Sequence, residues 1–497
     1  MVMRTLDVGW VTCAVSPECV GAARQPYGRC LAHLAPRELD EIVGGMASGS
    51  AIDLRGTTVG RDLLRRILTA TRGNLGRTRF DRATFTEDAR FGGMVFEGDV
   101  SFDQARFRRL ASFVDARFTG NVSFREVRFS KELSLHGVTV AGHAAFDRMS
   151  VARDALFSAG GFARTASFEG AEFHDFATFD GSRFGGDATF RGCRFGRMVS
   201  LRKVDFGGLA GFEAARFWAG ASVAPAAVGR RLSLTGAWAG NGLDLTVRGC
   251  PVDLRRMRVT GRLTVRLDDA HADLEGATLH GPATVDGRGT SKVVSLREVE
   301  TEALELRCVD LSTCRFAGIR TPERLRLTGC TFATTPRGVR FALRWPPLRW
   351  WSRRHTLADE HAWRGWSRPG PGAGPGQGQG PASSGAATGT EAEPPAPHRL
   401  AALYSRLRAG VDDKATAADF AFGAMEMRRL TSRSPARWLL ALHWAVSGYG
   451  LRMGRTLGWF ALTAAIAAGS LLVGSASHAA RRVHPPRPPV PPTHYLP

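Results

Sequence analysis

Phenylalanine recurs through the middle of this chain on a fixed clock. It stands at Phe80, Phe85, Phe91, Phe96, Phe102, Phe107, Phe113 and Phe118, in steps that alternate five and six, so the true period is eleven residues. Run forward unchanged, the clock lands on Phe124, Phe129, Leu135, Val140, Phe146, Val151, Phe157, Phe162, Phe168, Phe173, Phe179, Phe184, Phe190, Phe195, Leu201, Phe206, Phe212 and Phe217. It continues in aliphatic form through Val223, Val228, Leu234, Leu245 and Cys250, slips in phase, and resumes from Leu254 to Phe332. Steps of five and six keep no single stripe on a helix of 3.6 residues per turn. Self-similarity of this length marks a stacked solenoid.

A second register supports that reading. Two residues before many of the large positions stands a small one, as at Ala83, Ala89, Ala105, Ala111, Ala116, Ala155, Ala166, Ala177 and Ala188. Residues two apart share a face of an extended chain, so each half-repeat sends one large and one small side chain inward and the residue between them outward. The units, such as "FEGAEFHDFATFDGSRFGGDATF" at 168–190, resemble those of the pentapeptide-repeat proteins in the variant with alternating five- and six-residue units. The resemblance implies an all-β solenoid, a right-handed quadrilateral β-helix with four short faces per coil and the large residue stacked along the axis. With about 4.8 Å between coils, the rod would be on the order of 50 to 55 Å long, with a core closed to substrate.

Composition is informative mainly through where the charge falls. The formal charge of +21 suggests a nucleic-acid binder, but residues 80–217 hold 19 basic against 18 acidic residues. About 13 of the excess charges fall in 341–368, 398–455 and 481–487, beside the uncharged stretch "LGWFALTAAIAAGSLLVGSA" at 457–476. Some twenty residues without charge are long enough to cross a hydrocarbon core as a helix, so the expectation here is a transmembrane helix. The N-terminus has no apolar h-region of a secretory signal. Arginines before the helix outnumber those after it, which predicts a single-pass inner (cytoplasmic) membrane protein with its large N-terminal part in the cytoplasm. Only four of the 67 basic residues are lysine, a composition that points to a GC-rich bacterial genome.

These features divide the chain into an N-terminal Cys/His cap region (1–79), the solenoid (80–335), a Trp/Arg-rich capping segment (336–368) and a disordered Gly/Pro linker (369–397). A helical membrane-proximal module (398–452), the transmembrane helix (457–476) and a Pro-rich tail (477–497) follow. Within the module, "LYSRLRAGVDDKATAADFAFGAMEMRRL" at 403–430 reads as a helical hairpin, and "LLALHWAVSGYGLR" at 439–452 as an interfacial or re-entrant helix. The first stretch resembles an element that precedes the membrane helix in membrane-anchored pentapeptide-repeat proteins, departing from it at Ala424, where Glu is expected. Asp412 and Asp413 between the two hairpin helices read as a solvated turn.

The cysteines fall into two classes. Cys193, Cys314 and Cys330 stand two residues before an axial position and Cys250 stands on one, so they read as small core hydrophobes. Cys13, Cys19, Cys30 and His33 are spaced C-x5-C-x10-C-x2-H. Three thiolates and an imidazole suit structural zinc, and four protein ligands would leave no open position for catalysis. Unmetallated capping cysteines remain the alternative.

No nucleophile elbow, Walker A loop, dinucleotide fingerprint or HExxH occurs, so no enzyme is expected. The residue before the axial position is arginine at Arg79, Arg90, Arg106, Arg117, Arg128, Arg183, Arg194 and Arg216, an outward set of which Arg90, Arg106, Arg117, Arg128, Arg183 and Arg194 are the candidate binding surface. Four units per coil would stack Arg106 and Arg128 on one face with Arg117 opposite. The reading is a membrane-anchored, non-enzymatic scaffold for a protein partner, with no small-molecule substrate. Nucleic-acid-related binding and an accessory subunit of a membrane transport or channel assembly are the alternatives. Some pentapeptide-repeat proteins mimic DNA and protect DNA gyrase, but that mimicry needs an acidic surface, and this rod is neutral to basic.

Overall fold

The computed structural model describes residues 8–336, 339–341, 348–350, 353–366, 395–432, 436–450 and 453–481. They divide into two compact units, Met1–Pro395 with Arg406–Ala417, and Ala396–Ser405 with Ala418–Pro497.

The first unit is a β-solenoid. Its strands are mostly two residues long and pair in parallel with the strand one coil away, so Arg106 sits beside Arg128 and Ala111 beside Leu133, 22 residues on. Each of these coils has four strands, for example Arg106–Phe107, Ala111–Ser112, Arg117–Phe118 and Val122–Ser123. The resulting ladders are a 12-stranded sheet, an 8-stranded sheet and a 22-stranded sheet that carries two faces.

The five-six beat has a backbone cause. A five-residue step closes through a hydrogen-bonded turn, with the amides of Ala83, Ala105 and Ala116 donating to the carbonyls of Phe80, Phe102 and Phe113 at 2.9–3.0 Å. The third residue of the turn is left-handed, as at Arg82, Gln104 and Glu126 (φ 58°, 59° and 57°). The six-residue step turns through an open bend, as at 86–88. Every unit thereby returns its large residue to the axis. Rings stack on the ring one coil away, as between Phe102 and Phe124 (4.7 Å, 2° between planes) and Phe168 and Phe190 (4.7 Å, 4°). Between opposite faces the rings meet edge to face, as for Phe168 and Phe179 (5.5 Å, 88°). Both geometries suit the aromatic quadrupole. The inner alanines are fully buried, as are the axial rings, and they fill the interior between the ladders.

The phase slip in the sequence is a change of coil. After the pair Asp205–Ala227 the 8-stranded ladder ends, and partners lie 20 residues apart, as for Leu232 with Val252 and Leu243 with Leu263. The lost face is replaced by longer strands, Leu243–Arg248 and Leu263–Asp268. Two faces merge where Thr278–Arg288 runs from one to the next.

The first rungs of the ladders are Ile52–Asp53 and Thr58–Val59, which pair with Thr78–Arg79 and Thr84–Phe85. Helices α1 (Pro36–Gly44) and α2 (Arg61–Ala70) flank them, and α2 buries Leu63, Leu64 and Ile67. At the far end, α3 (Ala358–Arg364) carries Asp359, whose carboxylate accepts the buried Phe316 amide at 2.7 Å. Beside it Glu360 holds Arg354 through two hydrogen bonds of 2.6 and 2.9 Å and Arg364 through one of 2.6 Å. The turn keeps Asp412 and Asp413 exposed, as expected, and is also docked on the solenoid. Leu327 pairs with Val411, Asp412 accepts from the Thr328 hydroxyl at 2.9 Å, and Asp413 accepts the Thr416 amide at 2.8 Å. Most of the 369–397 linker, part of the Trp/Arg-rich segment and the end of the tail lie outside the described residues.

The second unit is helical, with α4 (Pro397–Leu407) and α5 (Lys414–Thr431) crossing the boundary between units, then α6 (Ala436–Ser447) and α7 (Met453–Arg481). Within it Tyr404 packs edge-on against Phe420 at 5.3 Å, and the Trp459 indole donates to the Ala445 carbonyl at 3.1 Å. The expected membrane anchor is corrected here: among the described residues, no helix is long and apolar enough to cross a membrane. In α7 the side chains are described from Thr456 to Leu471, 16 residues, or about 24 Å at 1.5 Å per residue. Gly458, Gly469, Ser470, Thr463 and five alanines dilute that stretch. The single-pass inner-membrane location, its orientation and the interfacial role of 439–452 rested on this anchor and fall with it.

Candidate metal centre

The N-terminal residues form a small knuckle against the first coil. The chain doubles back so that the Cys13 amide donates to the Gly21 carbonyl at 2.8 Å and Thr12 pairs with Ala22, while Arg24 pairs with Arg29. Cys19 follows a turn closed by its amide to Ser16. Cys30 precedes the single turn Leu31–His33, which swings the imidazole back over it. The knuckle is tied to the solenoid by the Ala22 amide on the Arg55 carbonyl (2.8 Å) and the Arg24 guanidinium on the Asp53 carbonyl (2.5 Å).

All four predicted ligands meet. The His33 Nδ1 lies 3.4 Å from Cys13 Sγ, 3.4 Å from Cys19 Sγ and 3.5 Å from Cys30 Sγ, and Cys19 Sγ is 3.9 Å from Cys30 Sγ. A tetrahedral zinc with Zn–S of about 2.3 Å and Zn–N of about 2.05 Å separates its ligands by about 3.6 Å (S to N) and about 3.8 Å (S to S). The spacing fits, and a Cys3His cluster of this kind can hold a metal ion. The thiols remain free cysteines. A tight cradle supports them, because a Cβ at Gly21 would stand 2.7 Å from Cys30 Cβ and 2.9 Å from its Sγ.

The two buried thiols are shifted in opposite directions. Burial pushes the Cys13 thiol up, but backbone amides of Cys30 and Val15, with His33 and Cys19, outweigh it and leave it at about 6. Burial, then the negative charge of Cys19 and Cys13, pushes Cys30 up to about 12. A dication held by Cys13, Cys19, Cys30 and His33 would offset that repulsion and favour the thiolate. Such an ion would cross-link residues 13 and 33 and, with four protein ligands, offer no site for substrate.

Four of the five other cysteines behave as core, and Cys308 is exposed. Cys193, Cys250 and Cys314 are buried and Cys330 half-buried, with Cys193 donating to the Phe168 carbonyl. Burial raises the thiols of Cys193 and Cys314 far above their ordinary value.

The six predicted arginines are distributed over three faces. Arg106 and Arg128 stack in one ladder, and Arg194 continues it beside Glu172 and Arg216. Arg117 and Arg183 lie in another, and Arg90 in a third, beside Ser112. Arg90 pairs with Asp88, Arg183 with Asp205 and Arg194 with Glu172. For Arg106, Arg117 and Arg128 no ion pair occurs among the described residues. The alternate outward slots are knitted along the rod, with Ser101, Ser123 and Ser167 donating to Asp81, Asp103 and Asp147 of the preceding coil. Sequence spacing missed Gly21, whose only signal was a small residue two positions after Cys19.

Nine copies of the model described as "Pentapeptide repeats" match within residues 80–128, 102–150 and 162–205. No curated protein matches the chain. The matched residues are the coils in which the phenylalanine stack and the 22-residue ladders are most regular, and the chain is a pentapeptide-repeat protein.

Proposed function

We propose that this chain is a non-enzymatic protein-interaction scaffold, with the right-handed, four-sided rod of its family and a structural zinc in the N-terminal knuckle. The observation that carries the reading is the in-register stacking of outward side chains, Arg106 on Arg128 and Arg194 on Arg216, over a core with no room for substrate. A surface held at about 4.8 Å per rung presents groups at fixed spacing and loses little conformational freedom when a partner binds. Zinc would serve the same end by fixing the knuckle over the first rungs, which would otherwise be an open sheet edge.

The test is affinity capture from native extract with the full chain, against a variant carrying Arg106→Glu and Arg128→Glu. A defined protein set retained by the wild type and lost from the variant is expected. No protein retained by the wild type would end the reading. The unpaired state of Arg106 and Arg128 also favours direct nucleic-acid binding as a second reading. Strong binding of duplex DNA that collapses with added salt would put that reading first.

A further inference from the structure

Among the described residues of the rod the exposed large apolar side chains are Met198, Trp218 and Val294, and two of these three lie together. The rings of Trp218 and Trp238 meet at 4.7 Å on the surface, and Trp218 is 53% exposed. Met198, 51% exposed, lies in the turn one coil before that of Trp218. The core does not require these rings. At residue 239, where the beat calls for a large axial side chain, the chain has Ala239, and the large residue stands one position earlier, facing out. Room is made for it: a Cβ at Gly240 would meet the Trp238 ring at 2.8 Å.

The charge around the pair is one-sided. Trp238 is in register with Arg216 on one side and Arg258 on the other. Among the described residues neither guanidinium makes an ion pair. Two rungs separate them, about 10 Å at about 4.8 Å per rung. Exposed tryptophan beside arginine is the composition of binding hot spots.

We infer that this face docks an acidic, proline-containing segment of a partner protein, an assignment that rests on the scaffold reading. In a polyproline II chain, residues three apart lie on one side about 9.3 Å apart, which matches the Arg216–Arg258 interval. Two carboxylates at that spacing meet the arginines, and the apolar or proline residue between them covers the indoles, as proline-rich segments cover aromatic grooves.

The test pans a phage-displayed library of short random peptides against the full chain, in parallel with a Trp218→Ala/Trp238→Ala variant and an Arg216→Glu variant. Enriched peptides should carry two acidic residues three apart around an apolar or proline residue, and both variants should bind them at least about tenfold more weakly. Thermal unfolding by circular dichroism should match the wild type for Arg216→Glu, which separates lost binding from lost fold. Enrichment that is absent, that lacks acidic residues, or that is equal on the variants overturns the docking face. Peptides enriched equally on all three but lost on altering Arg106 and Arg128 would leave the scaffold reading standing and move its site. An oligothymidylate that competes off the peptides and binds more tightly than any of them would overturn the protein partner in favour of a single-stranded nucleic acid stacked on the indoles.

Discussion

Replacing Gly21 by alanine tests the metal centre without touching a ligand. The new Cβ would stand 2.7 Å from Cys30 Cβ, 2.9 Å from Cys30 Sγ and 3.4 Å from Cys19 Sγ. Non-bonded carbons rest about 3.5–4.0 Å apart, so Cys30 must retreat by about 0.8 Å or more. Metal–ligand distances tolerate about 0.2 Å. The thiolate therefore leaves the position that its 3.5 Å contact with His33 defines. Zinc affinity, measured by competition with a chromophoric chelator, should fall by about 10- to 100-fold, the range seen when the support of a ligand is disturbed. Bound cobalt should lose part of its tetrahedral thiolate absorption. Gly21 has no left-handed backbone to preserve, so the effect of alanine comes from its contact with Cys30 and not from backbone strain. Unchanged zinc affinity would refute the reasoning, as would full zinc content in Cys30→Ser.

Three further outcomes are expected. Phe168→Ala should cost about 3–5 kcal/mol in urea unfolding, because rings at 4.6 and 4.7 Å on either side are held apart by their own ladders and cannot close the cavity; Phe168→Leu should cost less, since Leu234 fills the same column. Glu360→Ala should cost about 3–5 kcal/mol by removing the carboxylate that accepts two hydrogen bonds from the buried Arg354 guanidinium, read as faster hydrogen exchange at the Ala333–Thr334 strand. Burial, the largest influence, raises the Asp359 carboxyl despite the Phe316 amide. Its ionised form is thus disfavoured in the fold, so its penalty is absent below the ordinary carboxylate range and grows as pH rises towards the raised folded value. The wild type should lose melting temperature relative to Asp359→Asn across that window, and a difference independent of pH would contradict this.

The rod was legible because its signal is repeated and local. An axial residue such as Phe113 is fixed by its own turn and by identical neighbours one coil away, so counting recovers it. The stacking of Arg106 on Arg128 followed from the same count. The meaning of the phase slip did not, because a shorter coil depends on which face is dropped, and that is decided by pairings between residues 20 apart. The Cys/His set was legible from ligand chemistry alone, whereas Gly21 acts through contact with Cys30 across the knuckle and has no spacing signature. The anchor was misread because absence of charge was weighted above side-chain size, and a stretch rich in alanine and glycine is uncharged without being strongly apolar. The docked turn at Val411–Asp413 was missed because its partner, Leu327, is remote in sequence.

Where the repeat breaks its own rule is also where its surface changes character. In the coils matched by the family model, outward serines donate to aspartates one coil back and three of the six predicted arginines find carboxylates, so much of that surface is satisfied from within. At residues 216–258 the pattern inverts: a small residue takes the axis at Ala239, a large one faces out at Trp238, and the arginines beside it make no ion pair among the described residues. The indole of Trp218 is 53% exposed and rests against Trp238 on the surface, outside the axial stack. On the docking proposal, this apolar surface between two cations that make no ion pair among the described residues serves a partner rather than the fold.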